Sequence, residues 1–181
     1  MKITSIKGFS DVLPAEVGRW QAVESAAQRI FRAYNFAEIR IPILEKTELF
    51  SRSIGETTDI VEKEMYTFED RDSRGAEPAE STKLTLRPEG TAGVVRAYIE
   101  AEMFKTEPVR KLYYMGPMFR RERPQKGRMR QFHQIGAEAI GRGDPLIDAE
   151  ILLLLSDFFH ALGLTEPALL INSLGCSDCR P

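Results

Sequence analysis

The chain has few of the residues that build metal or redox sites. Its 181 residues include 2 cysteines and 2 histidines. A structural zinc site normally needs four protein ligands, and the histidines stand at positions unrelated to the pair Cys176 and Cys179. No βαβ pattern surrounds this pair, as a redox motif would require. We interpret both as reduced thiols and expect no metal site made of side chains.

Several longer patterns are also missing. The dinucleotide pattern GxGxxG and the P-loop pattern GxxxxGK are absent, which argues against a Rossmann or P-loop site. No apolar run approaches the ~20 residues of a membrane helix. The N-terminal stretch MKITSIKGFSDVLP has no apolar signal core, so we expect a cytoplasmic protein without a membrane partner. The formal net charge of -2 argues against a basic coat for DNA, so a polyanion would need a local patch.

What the sequence does contain is an interleaved series of helical and strand-like patterns. Apolar spacing predicts helices over residues 14–35, 48–55, 91–102 and 145–163. Alternation predicts strands over residues 36–41 (ended by Pro42), 65–70, 83–88, 110–120, 130–141 and 168–175. This order predicts a single α+β domain, with helices on one side of an antiparallel sheet.

Positive charge is concentrated in the loop between the two longest predicted strands. The loop and its margins contain Arg120, Arg121, Arg123, Lys126, Arg128 and Arg130. Such a loop can be a solvated surface, or it can hold phosphate, which a guanidinium binds bidentately. Glu122, in the same loop, can accept from an exocyclic amine or orient a neighbouring arginine.

The strand after this loop has a polar face. A period of two places Phe132, Gln134, Gly136 and Glu138 on one side. We expect Gly136 and Gly116 to leave space above the backbone, where an amide and a carboxylate suit an ammonium-bearing small molecule. The alternative is a structural Glu138 in a salt bridge, because a buried carboxylate is costly unless it is paired.

A second polar turn occupies TLRPEGTAG, residues 85–93. Its proline and glycines are typical of a strand-to-helix turn, from which Glu89 and Thr91 can reach a ligand. Thr91 can equally be the N-cap of the following helix. The two readings are compatible.

These stretches together resemble a known family. FRRERPQKGRMRQFHQIGAEAIG resembles the second signature motif of class II aminoacyl-tRNA synthetases in its histidyl form, and TLRPEGTAG resembles the amino-acid-binding segment. IKGFSDVLP, residues 34–71 and NSLGCSDCRP resemble the N-terminal signature, the first motif with its hairpin, and the end of the first part of the catalytic domain. The resemblance implies that residues 1–181 are the N-terminal part of a class II catalytic domain. It also implies an antiparallel sheet flanked by helices and a homodimer.

The resemblance implies an activity as well. ATP, with Mg²⁺ on its phosphates, and histidine would form histidyl-adenylate, and histidine would then pass to tRNA(His). Arg120 resembles the catalytic arginine on the α-phosphate and the histidine carboxylate, and Glu138 the carboxylate that reads the imidazole. The residues carried over are Arg120, Glu122 and Arg128 for ATP, and Glu89, Thr91, Arg120, Gln134 and Glu138 for histidine.

Three elements of this family are not found in the 181 residues. They are the second histidine-binding segment, the third motif and the anticodon-binding domain, so we expect this segment alone to be inactive or nearly so. A histidine-sensing paralogue, such as the regulatory subunit of ATP phosphoribosyltransferase, is the alternative, and a dimerisation module is a third. The intact RRERPQKGR favours the ligase, because a sensor need not keep a loop that holds ATP.

Overall fold

The structure, a computed structural model, describes residues 3–54, 64–70, 83–123 and 125–172. In chain order its elements are α1 (Pro14–Ala33), β1 (Ala37–Glu38), β2 (Leu44–Lys46), α2 (Thr47–Ile54), β3 (Tyr66–Glu69), β4 (Lys83–Leu86), α3 (Thr91–Glu100), a 3₁₀ helix (Met103–Lys105), β5 (Arg110–Phe119), β6 (Gln131–Ile140) and α4 (Pro145–Ala161). All the predicted helices are present, and so are both predicted hairpins. No helix in these ranges is long and apolar enough to cross a bilayer.

The strands form two small sheets rather than one. The first has the order β1-β5-β6 and the second β2-β4-β3. The hairpin β5–β6 is antiparallel, as predicted, but β1 runs parallel to β5. Alternation of side chains shows which residues share a face and carries no information on strand direction, which explains the difference.

Helices cover both faces of the first sheet, so the prediction of helices on one side is wrong. On one face, α1 and α4 bury Tyr113, whose ring stacks on Phe31 with centroids 4.4 Å apart. On the other face, Val94 of α3 packs with Leu112 and Met118. The apolar residues of β5 therefore serve two cores, and the fold is the expected α+β arrangement with flanking helices.

The strand predicted over residues 36–41 is shorter in the structure: β1 covers Ala37–Glu38 and ends before Pro42. The Ile39 N–H still donates to the Tyr113 carbonyl at 2.9 Å. Beyond Pro42, which has no N–H to give, the chain leaves β5 and pairs with β4 as β2. Pro42 therefore lies in the link between a strand of the first sheet and a strand of the second.

The last predicted strand is wrong over residues 168–172, which have no regular structure. Leu170 is 92% exposed there, and a strand forms only where a neighbouring strand pairs with it. The rest of that predicted strand, residues 173–175, lies outside the described residues, as do Gly55, Cys176 and Cys179.

A buried arginine joins the two sheets. Arg87 follows β4 and is 6% exposed. Its Nε donates to the Pro117 carbonyl at 2.9 Å, and its Nη1 donates to the carbonyls of Ile41 at 2.7 Å and Pro42 at 3.3 Å. Its own carbonyl accepts from the Phe119 N–H at 3.0 Å. Because desolvation opposes its charge, the pKa of Arg87 is lowered, and these carbonyls are what compensate the burial.

Replacing Arg87 should therefore loosen the contact between the sheets. We expect Arg87→Met to lower the free energy of unfolding by about 2–4 kcal/mol, since buried carbonyls lose their donors. Urea denaturation measures this. The matched control is Arg40→Met, at an 84% exposed side chain, which should change stability by less than about 0.5 kcal/mol. Equal effects of the two substitutions would contradict the role given to Arg87.

Candidate active site

The two polar stretches predicted from the sequence meet on one side of the hairpin. In the β5–β6 register, Gly116 lies opposite Gln134, Tyr114 opposite Gly136 and Leu112 opposite Glu138. The polar face of β6 and the matching face of β5 therefore point the same way, as predicted. The turn that leads into α3 lies over this face, because Thr91 contacts Glu138.

Glu89 caps helix α3, and Thr91 does not. The Glu89 carboxylate accepts from the backbone N–H of Thr91 at 2.5 Å and of Ala92 at 3.0 Å. The N-cap position belongs to Gly90, and Thr91 is the first helical residue. The prediction of Thr91 as N-cap is thus wrong, because a carboxylate one residue before the N-cap already satisfies the free N–H groups. This leaves the Thr91 hydroxyl available to the site.

That hydroxyl is committed to Glu138. Thr91 Oγ1 donates to Glu138 Oε1 at 2.7 Å. Burial raises the pKa of Glu138, the hydrogen bond from Thr91 opposes the rise, and the charge of Glu89 adds to it. None of the cations in the described ranges forms a salt bridge with Glu138, so the structural alternative for this residue is not supported.

Gln134 supplies an acceptor that the described part of the chain does not use. Its Oε1 is buried and has no hydrogen-bond partner there. Leaving a buried carbonyl oxygen without a donor is costly, and such atoms are rare in native proteins. An incoming N–H group would remove that cost. Together, Gln134 and Glu138 make this face attractive to a cationic donor.

Side chains of the protein itself fill the space expected above the two glycines. A Cβ on Gly136 would lie 2.3 Å from the Tyr114 hydroxyl, and one on Gly116 would lie 2.6 Å from Arg87 Nη2. The predicted free space is therefore wrong at both positions. A large aromatic residue directly across from a strand glycine is a known pairing that could have indicated Tyr114. No pattern in the sequence indicates that Arg87 lies over Gly116.

The residues predicted for ATP are brought together around Glu122. Arg120 Nε donates to the Pro88 carbonyl at 2.9 Å, and its guanidinium lies 5.2 Å from the centroid of the Phe132 ring. Glu122 Oε1 lies 3.9 Å from Arg120 Nη1, and Glu122 Oε2 lies 3.3 Å from Arg128 Nη1. Arg120 is thus held in place rather than solvated, whereas Arg128, 65% exposed, is open to solvent.

The N-terminal segment closes the base of this loop, a role that the sequence did not reveal. The Gly8 carbonyl accepts from the N–H groups of Arg130 at 2.8 Å and Gln131 at 3.0 Å. Arg130 Nε also donates to the Glu122 carbonyl at 3.2 Å. Arg130 therefore links the loop to the N-terminal segment, through its backbone N–H on Gly8 and its side chain on Glu122.

A family model described as histidyl-tRNA synthetase matches residues 8–177. The chain belongs to the histidyl-tRNA synthetase family. It is 64% identical to the histidine–tRNA ligase of Pelobacter propionicus over 181 residues, which are 100% of this chain and 42% of that protein. The chain therefore spans less than half the length of this synthetase.

Solved structures agree with the family assignment. Apo histidyl-tRNA synthetase of S. aureus superposes with a TM-score of 0.70 at 39% identity, over 90% of this chain and 35% of that one. A protein described as an ATP phosphoribosyltransferase regulatory subunit/histidyl-tRNA synthetase from Bacillus halodurans C gives a TM-score of 0.74 at 22% identity, over 92% and 40%. The second likeness shows the shared fold alone.

The raised pKa of Glu138 predicts a pH dependence of the chain's stability. Folding raises that pKa above its ordinary value of 4.5, so the folded state holds the proton more tightly than the unfolded chain. The contribution of Glu138 to the free energy of unfolding is then full below pH 4.5 and is lost as the pH rises through the folded pKa. Glu138→Gln does not titrate and can still accept from Thr91.

We therefore expect Glu138→Gln to gain stability relative to the parent as the pH rises above 4.5, as measured by urea denaturation at a series of pH values. Glu100→Gln is the control, since Glu100 is 70% exposed in its pair with Arg96. It should show no such gain. A parallel pH profile for parent and Glu138→Gln would contradict the prediction.

Proposed function

We propose that this chain forms the part of a histidine–tRNA ligase that binds histidine and holds ATP. The whole protein would activate histidine with ATP and transfer it to tRNA(His). Membership of the family supports the reaction class. The observation that supports histidine as the substrate is the polar face of β6. There the Gln134 Oε1, which has no hydrogen-bond partner in the described residues, lies on the same strand face as Glu138.

Histidine offers the groups that this floor accepts. Its ammonium can donate to Gln134 Oε1, which gains the donor that it lacks. Glu138 uses Oε1 for Thr91, and its other oxygen can accept an imidazole N–H. Burial desolvates the carboxylate and raises its pKa, so a donor from the ligand is worth more there than in water. We therefore propose amino-group recognition by Gln134 together with Glu89 and Thr91, the latter two as the family resemblance implies, and side-chain recognition by Glu138.

Adenylate formation suits an arginine held in place. An oxygen of the histidine carboxylate attacks the α-phosphorus, a P–O bond forms, and the bond to the β-phosphate breaks to release pyrophosphate. The attacking carboxylate is already ionised, so no general base is needed. Arg120, fixed by Pro88 and Phe132, would neutralise the charge on the α-phosphate with little reorganisation. Glu122 and Arg128 would hold the adenine and the distal phosphates.

Magnesium would enter on the ATP phosphates, as part of the substrate. The described ranges contain no group of three His, Cys, Asp or Glu side chains that could hold a metal ion. In the second step, a hydroxyl at the 3′ end of the tRNA would attack the histidyl carbonyl carbon, and AMP would leave. We also propose a homodimer formed through the first motif and a cytoplasmic location.

Calorimetry tests histidine recognition directly. The 181-residue chain should bind L-histidine, and Glu138→Ala should weaken binding by about 10–100-fold, because the imidazole loses a charged acceptor. Glu100→Ala, at the opposite end of α3, is the matched control and should bind like the parent. Equal affinity of Glu138→Ala and the parent would refute the imidazole role.

ATP recognition has its own test. Because Arg128 is 65% exposed, Arg128→Ala should leave the fold intact. It should weaken binding of a fluorescent ATP analogue by about 5–10-fold, as measured by anisotropy. Arg40→Ala, another exposed arginine with a glutamate partner, should leave affinity unchanged. If Arg40→Ala weakens binding as much as Arg128→Ala does, binding reflects general charge and not this loop.

A further inference from the structure

We infer that the turn formed by residues 6–9 is a positioning element for the loop between β5 and β6, and that Arg130 transmits its effect to that loop. The ligand named below, ATP, rests on the proposed function, whereas the contacts of the turn do not. No residue of the turn is among those proposed to bind ATP or histidine. The turn would therefore act on the nucleotide only through the loop residues that it holds.

The turn has a fixed shape. The Phe9 N–H donates to the Ile6 carbonyl at 2.9 Å, which closes a β-turn. Gly8, at the third position of this turn, has a φ of +90°. A positive φ there is typical of a type II turn and favours glycine. The carbonyls of Lys7 and Gly8 therefore have set directions, and both accept hydrogen bonds from Arg130.

The side chain of Phe9 anchors the turn to both sheets. Its ring centroid lies 6.1 Å from that of Tyr66 in β3 and 6.4 Å from that of Phe119 in β5. These distances are within the range of favourable aromatic pairs. Phe119 is the last residue of β5, so the anchor lies where the strand ends and the loop begins.

Arg130 is the contact between the turn and the loop. Its N–H donates to the Gly8 carbonyl at 2.8 Å, and the Gln131 N–H donates to the same oxygen at 3.0 Å. The Arg130 Nη1 donates to the Lys7 carbonyl at 3.4 Å. The packing is also close, because a Cβ on Gly8 would lie 2.8 Å from Arg130 Cγ. The position of Arg130 therefore depends on the turn through both its backbone and its side chain.

From Arg130 the contacts continue to the residues proposed for ATP. Its carbonyl accepts from the Arg120 N–H at 2.9 Å, and its Nε donates to the Glu122 carbonyl at 3.2 Å. The Glu122 carboxylate lies between two guanidinium groups, 3.9 Å from Arg120 Nη1 and 3.3 Å from Arg128 Nη1. A shift of Arg130 would move the Glu122 backbone, and with it the carboxylate that orients both arginines. Binding groups must be held within a fraction of an ångström by their supporting residues, so such a shift lowers affinity.

A pair of glycine substitutions tests this inference. Gly8→Ala places a methyl group against Arg130 at a positive φ. The matched control is Gly163→Ala, because Gly163 has a φ of +82° and no atom of the described residues lies within 4 Å of a Cβ added there. Both variants carry backbone strain, and only the first displaces Arg130. We expect Gly8→Ala to weaken binding of a fluorescent ATP analogue by about 3–10-fold in anisotropy, and Gly163→Ala to bind like the parent. Equal effects of the two substitutions would overturn the inference.

Calorimetry with L-histidine distinguishes positioning from a general loss of structure. Gln134 and Glu138 lie further along β6, and the Arg120 side chain is held separately on the Pro88 carbonyl. Gly8→Ala should therefore change histidine affinity by less than about 2-fold. Equal losses of affinity for histidine and for the ATP analogue would contradict the positioning role.

A double variant tests whether the turn acts through Arg130. Arg130→Ala removes the guanidinium from the Glu122 carbonyl and should itself weaken binding of the analogue. It also removes the Cγ against which the new methyl group would press. Gly8→Ala should therefore add less than about 2-fold in the Arg130→Ala background. A full additional effect in that background would show that Arg130 does not transmit the effect of the turn.

If Gly8→Ala does not fold, Phe9→Leu disturbs the same turn by removing its ring contacts. The control is Phe104→Leu, because Phe104 pairs with Tyr98 at 6.1 Å and is 48% exposed. Phe9→Leu should weaken binding of the analogue by about 2–5-fold, and Phe104→Leu should not weaken it. Equal affinity of Phe9→Leu and the parent would refute the inference.

Failure of the proposed function gives a different result. If the parent does not bind the ATP analogue, the ATP part of the proposed function fails, and NMR order parameters still decide the inference. The backbone amides of residues 125–128 should be more mobile in Gly8→Ala than in the parent and in Gly163→Ala. Unchanged order parameters in Gly8→Ala would mean that the turn does not position the loop.

Discussion

The fork of hydrogen bonds from Arg87 is the constraint on which this molecule depends. The proposed site is divided between two sheets, since Glu89 follows β4 of one and Glu138 lies on β6 of the other. Within the described ranges neither sheet has more than three strands, and such small sheets need a strong contact to hold a fixed position relative to each other. The buried guanidinium of Arg87, just after β4, donates to the Pro117 carbonyl of β5 and to the carbonyls of Ile41 and Pro42 between β1 and β2. It supplies that contact, and Arg120, on the Pro88 carbonyl, adds a second.

Between these two sheets, the proposed histidine site is rich in hydrogen-bond acceptors: two carboxylates and one amide oxygen. Glu89 raises the pKa of Glu138. The hydrogen bonds to these two carboxylates in the described residues come from neutral hydroxyl and N–H donors, and the buried Oε1 of Gln134 has no donor there. Such an arrangement costs stability in the free protein and favours a ligand with several N–H groups. The arginines are placed a short distance along the same hairpin, so positive and negative recognition are separated along one strand pair.

Much of this could be predicted from the sequence, and the failures have physical causes. The alternation of β6 gave the face of Gln134 and Glu138, because a strand has a period of two. The direction of β1 and the division into two sheets depend on pairing between distant segments, which no local pattern contains. The sequence does not show that Tyr114 and Arg87 fill the space above Gly136 and Gly116. A glycine indicates where space can exist, but not which distant side chain occupies it.

The close packing of Tyr114 between Gly90 and Gly136 restricts how the sequence of this region can evolve. Gly90, Tyr114 and Gly136 occupy one volume between them, although they are separated along the chain. A larger residue at either glycine is tolerable only if the tyrosine shrinks, and a smaller residue at 114 leaves a void unless a glycine grows. The three positions are therefore epistatic, and divergence in this region would have to proceed by correlated replacement rather than by independent drift.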